Sequence, residues 1–302
     1  MDKIHIIYAF NDDFAKFAAV SIISLLENNL NDEISLHLFH INCQRNTIDK
    51  IRQILERYTC KVTFHNFSPE TLVGFPETGQ YSLACYLRLW TPSILPTIDK
   101  AIYIDSDTLI RKPLRELWDT DISNHSLGAC LDSTFSRNIV AKYLTEDIIA
   151  HYFNSGVLLL NLAYWRENNV EAKLCKYLKH NNVKLPDQDA LNAVLYDTVK
   201  IMHPKWNALA SYFTFTPKVP LSQFKYIPYL CRNACIVHFI GEIKPWHRES
   251  WMAYKSEWLN YYAMSPWSNE SLPKLHQNKF ISICVTIKNR LKYLITCIKL
   301  RK

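Results

Sequence analysis

The 302-residue sequence predicts an α/β fold in which a mostly parallel sheet carries helices on both faces. Short apolar runs of the length of buried strands alternate with longer segments whose apolar residues recur at helical spacing. Strands joined through such helical crossovers usually pair in parallel. The hydrophobic content of 48% is ordinary for a globular protein and supplies a sizeable core.

The first half of the chain shows this alternation most clearly. Strands are predicted at residues 4–9, 34–39, 61–64 and 102–104, and helices at residues 14–26 and 48–58. The first strand has the apolar content of a buried strand, whereas the second alternates apolar and polar residues. Ligands of doubly wound sheets bind beyond the carboxyl ends of the strands, and Asp105 follows the fourth predicted strand at such an end.

The second half adds strands at 127–131, 153–160 and 235–240, and helices at 165–178 and from Pro186 onward. Asp187 and Asp189 lie in the first turn of the last helix, where acidic side chains interact favourably with the helix dipole. A short polar stretch with a proline, residues 265–268, divides the chain. It predicts one domain over residues 1–265 and a separate C-terminal segment over residues 266–302.

Composition argues against several classes of protein. Only five glycines are present, and the phosphate-binding patterns GxGxxG and GxxxxGK[ST] do not occur. The nine cysteines form no CxxC pair, which favours reduced thiols in a cytoplasmic protein over a disulfide framework or a zinc site. The sequence starts without a secretory signal pattern, and no uncharged apolar stretch is long enough to span a bilayer.

The formal net charge of +7 is concentrated near the C-terminus. Residues 271–302 contain eight Lys or Arg and no Asp or Glu, so the preceding body is close to neutral. This distribution argues against a surface built to bind nucleic acid. From Phe280 to Ile298, apolar residues at helical spacing are mixed with basic ones, which predicts a basic amphipathic helix on an anionic membrane leaflet. The alternative is a helix packed on the body with its charges in solvent.

The segment AIYIDSDTLI, residues 101–110, places two acidic residues one position apart after an apolar run. Buried carboxylates are costly unless a positive charge lies beside them. Asp105 and Asp107 could therefore bind Mg²⁺ or Mn²⁺ if the chain turns between them. A solvated turn is equally compatible with the triplet alone. A third interpretation is a phosphatase of the haloacid dehalogenase type with Asp105 as nucleophile, but Leu109 stands where Thr or Val is usual, and no Asp-Asp or Gly-Asp pair follows.

Several segments, in order along the chain, resemble glycosyltransferase family 8. The resemblance is greatest to the bacterial lipooligosaccharide α-galactosyltransferases and extends to the lipopolysaccharide-core hexosyltransferases. The segments are IYAFNDDFA, YLRL, AIYIDSDTLIRKPLRELWDTD, LGACLD, YFNSGVLLLNLAYWR, DQDALN and HFIGEIKPWH. The resemblance implies a glycosyltransferase A-type, Rossmann-like fold that binds a UDP-sugar and Mn²⁺, with Mg²⁺ as the alternative ion.

The resemblance also implies which residues hold the metal and the diphosphate. Asp105, Asp107 and His238 would be the metal ligands, and a neutral imidazole is compatible with Mn²⁺. Lys244 would contact the diphosphate and stabilise the charge that develops as UDP departs. Gly241 would allow the backbone to approach the phosphates closely. Taken singly, the last three could equally be a core histidine, a surface lysine and a turn glycine.

The uridine end departs from the family pattern. The implied nucleotide-binding residues are Ala9, Asn11, Asp13, Phe14, Ser106, Gly241 and Lys244. Where these galactosyltransferases often have Ala-Asp-Asp-Asn-Tyr, this chain has Asn11 for the first Asp, Asp13 for the Asn and Phe14 for the Tyr. A phenylalanine can still stack on the base, but it brings no hydroxyl.

The donor sugar would be held by side chains from several parts of the chain, each of which could singly be a turn or capping residue. By resemblance they are Arg88, Asp132, Asn154, Gly156, Asp187 and Gln188. Gln188 and Asp187 are the implied catalytic residues, with Gln188 beside the anomeric carbon. Family chemistry retains the anomeric configuration, and an amide is a poor nucleophile compared with the carboxylate of retaining hydrolases. This favours front-face attack by the acceptor hydroxyl, with the departing phosphate as base. A covalent route through Asp187 or Asp189 stays open.

These observations predict a retaining, Mn²⁺-dependent enzyme that moves a hexose from a UDP-sugar to a saccharide of lipooligosaccharide or lipopolysaccharide. Galactose is expected ahead of glucose, and the acceptor is expected to be lipid-linked. Residues 1–265 would be the catalytic domain, and residues 266–302 would hold the cytoplasmic protein on the inner face of the membrane, with no nucleic-acid partner. The alternatives are a glucosyltransferase acting on a protein or another glycan, the phosphatase, and a non-catalytic module that binds sugar nucleotides.

Overall fold

The computed structural model describes residues 2–76, 82–214 and 218–275, together with Ile287 and Leu291. Its strands are β1 (Ile4–Asn11), β2 (Ile34–Ile41), β3 (Lys61–Phe67), β4 (Lys100–Ile104), β5 (Thr108–Ile110), β6 (Leu127–Leu131), β7 (Phe153–Asn161), β8 (Val199–Ile201), β9 (Ala208–Leu209) and β10 (Ile236–His238). Seven of them form one sheet in the order β3-β2-β1-β4-β7-β6-β8. The other three form a small sheet in the order β5-β10-β9.

The α-helices cover both faces of the large sheet. They are α1 (Asp12–Glu27), α2 (Arg45–Leu55), α3 (Thr91–Ile94), α4 (Arg115–Trp118), α5 (Thr134–Val140), α6 (Glu146–Ala150), α7 (Leu162–Glu167), α8 (Val170–His180), α9 (Pro186–Leu195), α10 (Ile227–Asn233) and α11 (Lys255–Ala263). Short 3-10 helices lie at Pro69–Leu72, Leu83–Trp90, Pro204–Trp206, Ala210–Phe213 and Leu221–Tyr226. Within the described ranges, no helix has the length and apolar character needed to cross a bilayer.

The large sheet is mostly parallel, which confirms the predicted fold class. β1 pairs in parallel with β2 and β4, β2 with β3, and β6 with β8. β7 is the exception, because it runs antiparallel to both β4 and β6. Every predicted strand is present, but apolar content alone does not indicate the direction in which a strand runs.

The two faces of β1 are buried in different cores because alternate residues of a strand point to opposite sides. Ile4, Ile6 and Tyr8 pack in the core that includes α1, whereas Ile7 and Ala9 pack in the core on the other face. The second core receives apolar side chains from α7, α8 and α9. Burial on both faces explains why the central strands β1 and β4 are nearly continuous apolar runs.

Two predicted elements differ in the structure. The helix predicted at 165–178 is two helices, because α7 ends at Glu167 and α8 begins at Val170. Asn169 between them has φ 51°, a left-handed conformation that asparagine adopts more readily than most residues. The strand predicted at 235–240 ends at His238, and the chain then turns through Gly241, whose φ is 89°.

The first residues after position 265 pack against the body. Trp267 is buried, and Glu270 lies 3.6 Å from Lys16 and 3.5 Å from Lys50 in two ion pairs. The backbone N–H of Leu275 donates to Glu249 Oε2 at 2.9 Å. The amphipathic helix predicted between residues 280 and 298 lies outside the described residues, apart from Ile287 and Leu291. The division at residue 265 and the role of the tail therefore stay predictions.

Candidate active site

Backbone pairing brings the acidic turn and a distant histidine together. The turn between β4 and β5 contains Asp105 and Asp107, and the N–H of Asp105 donates to Gly156 O of β7 at 2.8 Å. β10 pairs antiparallel with β5, with His238 opposite Thr108. The small sheet therefore places the side chain that ends β10 beside the carboxylates that follow β4.

Three side chains form a candidate metal centre. Asp105, Asp107 and His238 each offer one ligand atom, and these atoms lie within 4.8 Å of one another. His238 Nε2 lies 3.1 Å from Asp107 Oδ1 and 3.8 Å from Asp105 Oδ2. The His238 side chain is 5% exposed and that of Asp107 16%, so this is not a solvated turn. Two carboxylates suit Mn²⁺ or Mg²⁺, and the added imidazole is compatible with Mn²⁺. The donor set therefore fits the Mn²⁺ implied by the resemblance.

Gly156 lies directly against this centre. A Cβ atom at this position would be 2.1 Å from His238 Cε1, 2.6 Å from His238 Nδ1 and 2.8 Å from Asp105 Oδ2. Real Cβ contacts are essentially never shorter than 3.0 Å. Only glycine therefore allows β7 to pass this close to two of the candidate ligands. The sequence predicted a sugar contact for Gly156 but not this steric role.

Lys244 adds a positive charge at the same point. Its Nζ lies 2.6 Å from Asp107 Oδ2 and donates to the carbonyl oxygen of Phe239 at 2.6 Å. Burial would raise the pKa of Asp107, but the charge of Lys244 and the contacts of His238 and Lys244 outweigh it and hold that pKa below its usual range. Asp107 is therefore an ionised carboxylate over the whole physiological range, as a metal ligand must be.

Arg88 joins the metal centre to the predicted catalytic helix. Its guanidinium lies 2.8 Å from Asp105 Oδ1 and 3.2 Å from Asp187 Oδ2, and it donates to Ser155 O at 2.6 Å. It also stacks 3.9 Å from the ring centroid of Tyr103, whose hydroxyl donates to Asp105 at 2.9 Å. Burial would lower the pKa of Arg88, but the two carboxylates raise it. The arginine is thus a permanently charged bridge between a metal ligand and Asp187.

The amide of Gln188 is fixed by four hydrogen bonds. Oε1 accepts from Asn154 Nδ2 at 3.0 Å and from the backbone of Ser155 at 3.1 Å. Nε2 donates to Asp132 Oδ2 at 2.5 Å and to the hydroxyl of Tyr152 at 3.1 Å. Burial raises the pKa of Asp132, although the carboxylate accepts the hydrogen bond from Gln188. Because every position on the amide is occupied, the orientation of Gln188 is set by its neighbours.

A chain of amides connects Gln188 to His238. His238 Nδ1 lies 3.0 Å from Asn207 Oδ1, and Asn207 Nδ2 donates to Asn154 Oδ1 at 2.8 Å. An amide oxygen can only accept, so His238 donates from Nδ1, and its Nε2 is the ring nitrogen that faces the carboxylates. A hydrogen bond on the other ring nitrogen is what orients an imidazole as a metal ligand. Sequence reasoning missed Asn207, which lies in the segment KWNALA and carries no local signal.

The two carboxylates beside Gln188 have different partners. Asp189 is fully buried, and its two oxygens accept four hydrogen bonds, from the hydroxyls of Tyr143 and Tyr152 and from the backbone N–H groups of Lys184 and Leu185. It anchors the loop that leads into α9. Burial raises the pKa of Asp187, and the charge of Arg88 opposes that rise. Asp189 is therefore a structural residue and not an available nucleophile.

The predicted nucleotide-binding residues have mixed surroundings. Ser106 Oγ donates to Ala9 O at 3.2 Å, which ties the end of β1 to the acidic turn. Asn11 caps α1 by accepting the N–H of Phe14 at 3.1 Å, and Phe14 packs edge-on against Phe17 and Trp246. Asp13 is exposed. A Cβ at Gly241 would meet no atom within 4 Å, so its positive φ rather than crowding favours glycine there.

Comparison with known proteins decides the family. The model of glycosyl transferase family 8 matches residues 5–250. The chain belongs to glycosyltransferase family 8. This confirms the resemblance noted in the sequence and removes the phosphatase alternative.

Individual family members are similar over most of their length. The chain is 35% identical over 251 residues to a putative glycosyltransferase of Haemophilus influenzae, covering 81% of this chain and 73% of that protein. It is 25% identical over 290 residues to a lipopolysaccharide 1,2-glucosyltransferase of Escherichia coli, covering 92% and 84% respectively. The solved structure of the galactosyltransferase LgtC with donor and acceptor sugar analogues superposes with a TM-score of 0.73 at 23% identity, covering 87% and 96%. This likeness shows the glycosyltransferase A-type fold.

Proposed function

We propose that this family 8 enzyme is a Mn²⁺-dependent, retaining hexosyltransferase that uses a UDP-sugar and extends a saccharide of lipopolysaccharide or lipooligosaccharide. One observation carries the proposal: the Asp105–Asp107–His238 centre is linked through Arg88 to the polar network around Gln188. A divalent ion bound there would neutralise the diphosphate of the donor and stabilise UDP as the leaving group. The relatives include a glucosyltransferase and a galactosyltransferase, and galactose remains the first donor to test.

The protein groups around the donor would act by positioning and charge. Lys244 would meet the charge that develops on the departing diphosphate. Asp132, Asn154 and Arg88 offer the acceptors and donors expected for sugar hydroxyls. Since these side chains are already fixed by one another, they would need little reorganisation when the sugar binds.

The proposed reaction takes place on one face of the sugar. The bond between the anomeric carbon and the phosphate oxygen breaks, and the acceptor hydroxyl oxygen forms the new bond on the same face. The hydroxyl proton passes to the departing phosphate. The amide of Gln188 is not a nucleophile, and Asp189 is saturated with hydrogen bonds. Asp187 is paired with the guanidinium of Arg88 at 3.2 Å. These contacts support this route over a covalent intermediate on Asp187 or Asp189.

The setting of the reaction is also proposed. The acceptor would be lipid-linked, and the enzyme would work in the cytoplasm as a peripheral protein at the inner membrane face, with the basic tail contacting lipid. The seven cysteines in the described part of the chain are free thiols, which fits a reducing compartment.

The first test is UDP release from a panel of UDP-sugars, with Mn²⁺ and with EDTA, beside an Asp107→Ala variant. Release from one UDP-hexose that is lost with EDTA and in the variant would support the proposal and name the donor. Binding of UDP-sugars without any turnover, even with lipid-linked acceptors, would instead indicate a non-catalytic module. Transfer to a protein but not to a lipid-linked saccharide would favour the alternative acceptor class.

A further inference from the structure

The sequence that leads into the His238 strand has an unusual charge distribution. Residues 198–241 contain five basic residues and no Asp or Glu: Lys200, Lys205, Lys218, Lys225 and Arg232. Lys205 pairs with Glu116 at 2.6 Å. Lys225 and Arg232, by contrast, are exposed and form no ion pair with any carboxylate of the described residues.

Part of this stretch is a helical rod with two unlike sides. The 3-10 helix Leu221–Tyr226 continues directly into α10. On its inner side, Leu230 is fully buried and Gln223 accepts a hydrogen bond from the hydroxyl of Tyr212. Six exposed residues recur every three or four positions and form what we call the outer face: Leu221, Phe224, Lys225, Pro228, Tyr229 and Arg232. Ser222 is exposed as well.

The outer face is apolar where a solvent-facing helix is normally polar. Leu221 is 83% exposed, Phe224 40% and Tyr229 44%. Basic side chains lie among these apolar ones, and no acidic residue lies in the surrounding sequence. Surface segments of this composition lie in the headgroup region of bilayers, with aliphatic and aromatic side chains at the acyl boundary and Lys or Arg on anionic lipid.

We propose that the outer face docks on an anionic lipid bilayer. The rod itself carries no acidic residue that would be repelled by anionic lipid, and Lys225 and Arg232 supply the complementary charge. The proposal concerns the folded body and is separate from any contact made by the basic C-terminal segment.

Docking here would place on the membrane a segment that is continuous with the candidate site. The rod is held from its inner side by Tyr212, which follows Asn207 by five positions, and α10 leads directly into the strand that ends in His238. A saccharide attached to a membrane lipid would then meet the enzyme at the surface in which it is anchored. Only this last consequence rests on the proposed function; the docking itself does not.

The experiment is sedimentation of the full-length protein with vesicles of phosphatidylcholine alone and of phosphatidylcholine with phosphatidylglycerol. Two double variants remove the charge or the apolar side chains of the outer face: Lys225→Gln with Arg232→Gln, and Leu221→Ser with Phe224→Ser. The matched control is Leu30→Ser with Val73→Ser, which removes two apolar side chains that are 72% and 74% exposed elsewhere. The thermal midpoint of each variant checks that it is folded.

We expect the wild type to bind the anionic vesicles preferentially. Each lost charge should weaken binding about fivefold, because a basic residue near an anionic surface is worth about 1 kcal/mol. The apolar double variant should lose about tenfold or more, and the control should bind as the wild type does. Unchanged binding by both outer-face variants, or an equal loss in the control, would overturn the proposal.

Two further outcomes would also overturn it. If the wild type does not bind anionic vesicles at all, the face is not a lipid surface. If it instead forms a dimer that Leu221→Ser with Phe224→Ser abolishes, the occupant is a second copy of the chain. Because vesicle binding is measured without donor, metal or acceptor, failure here and failure of the proposed reaction are distinguishable.

Discussion

Replacing Gly156 with alanine tests the geometry of the candidate metal centre most sharply. The added Cβ would lie 2.1 Å from His238 Cε1, against ordinary contacts of 3.4–4 Å. His238 cannot simply swing aside, because its ring is buried and its Nδ1 is bonded to Asn207. The imidazole, or the β7 backbone, must therefore move by about 1 Å, well beyond the roughly 0.2 Å tolerance of metal–ligand distances.

The expected result is a loss of metal affinity that exceeds the loss of stability. Overpacking of a buried site costs about 1–3 kcal/mol, so the variant should fold. Disturbing the support of a ligand typically costs 10–100-fold in metal affinity, and displacing the ligand itself should cost at least about 100-fold here. The assay is calorimetric titration with Mn²⁺ in the absence of any nucleotide, with the free energy of unfolding measured in urea.

Gly128→Ala is the matched control. Its Cβ would lie 2.8 Å from Met202 Sδ, a buried clash of similar kind but with a flexible side chain that is not among the candidate metal ligands. It should lose stability and keep the Mn²⁺ affinity of the wild type. A folded Gly156→Ala variant that binds Mn²⁺ as tightly as the wild type would refute the assignment of His238 and Asp105 as ligands in this arrangement.

Three other predictions concern the residues around the centre and the histidines of the sheet. Asn207→Ala should weaken Mn²⁺ binding about 10–100-fold in titration calorimetry, because the ring of His238 loses the hydrogen bond that orients it. Asn168→Ala should leave the affinity unchanged, and equal affinities of the two variants would contradict the orienting role of Asn207. Arg88→Lys should lower the free energy of unfolding in urea by about 2 kcal/mol or more, because one ammonium cannot pair with both Asp105 and Asp187. The control, Arg111→Lys in a partly exposed pair with Glu257, should lower it by about 1 kcal/mol or less. Similar losses in the two variants would argue against the Arg88 bridge. Burial, with the charges of His5, His65 and Lys61, lowers the pKa of His37 to about 4. Between pH 4 and pH 6.5 the unfolded chain therefore binds more protons than the folded protein. The free energy of unfolding should fall by about 1.4 kcal/mol for each unit by which the pH is lowered from 6.5 to 4. His37→Gln should make the pH dependence of unfolding shallower, and an unchanged slope would contradict this.

The predicted fold followed from patterns that are local in sequence. Parallel strands buried on both faces are apolar throughout, so β1 and β4 were visible as apolar runs. The direction of β7 was not visible, since the same run fits either orientation. The break between α7 and α8 escaped prediction because apolar residues on both sides keep helical spacing and the Asn168-Asn169 pair contains neither glycine nor proline.

The site was predictable only where its residues are close in sequence or carry a family motif. Asp105 and Asp107 are two positions apart, so their chemistry could be argued from the residues alone. His238 came only from the resemblance to family 8. Asn207 and the crowding at Gly156 depend on how β7, β9 and β10 pack together, and nothing local in the sequence encodes those contacts.

In the proposed reaction, metal-assisted departure of UDP and positioning by Gln188 are separate tasks within one site. Mn²⁺ affinity and sugar transfer to a lipid-linked acceptor, measured in the same preparations of wild type, Asp107→Asn and Gln188→Ala, would separate the two tasks. Asp107→Asn should lose both metal binding and transfer, whereas Gln188→Ala should keep its Mn²⁺ affinity and lose about 100-fold or more in kcat. Transfer at the wild-type rate by Gln188→Ala, or metal-dependent transfer by Asp107→Asn, would contradict the account.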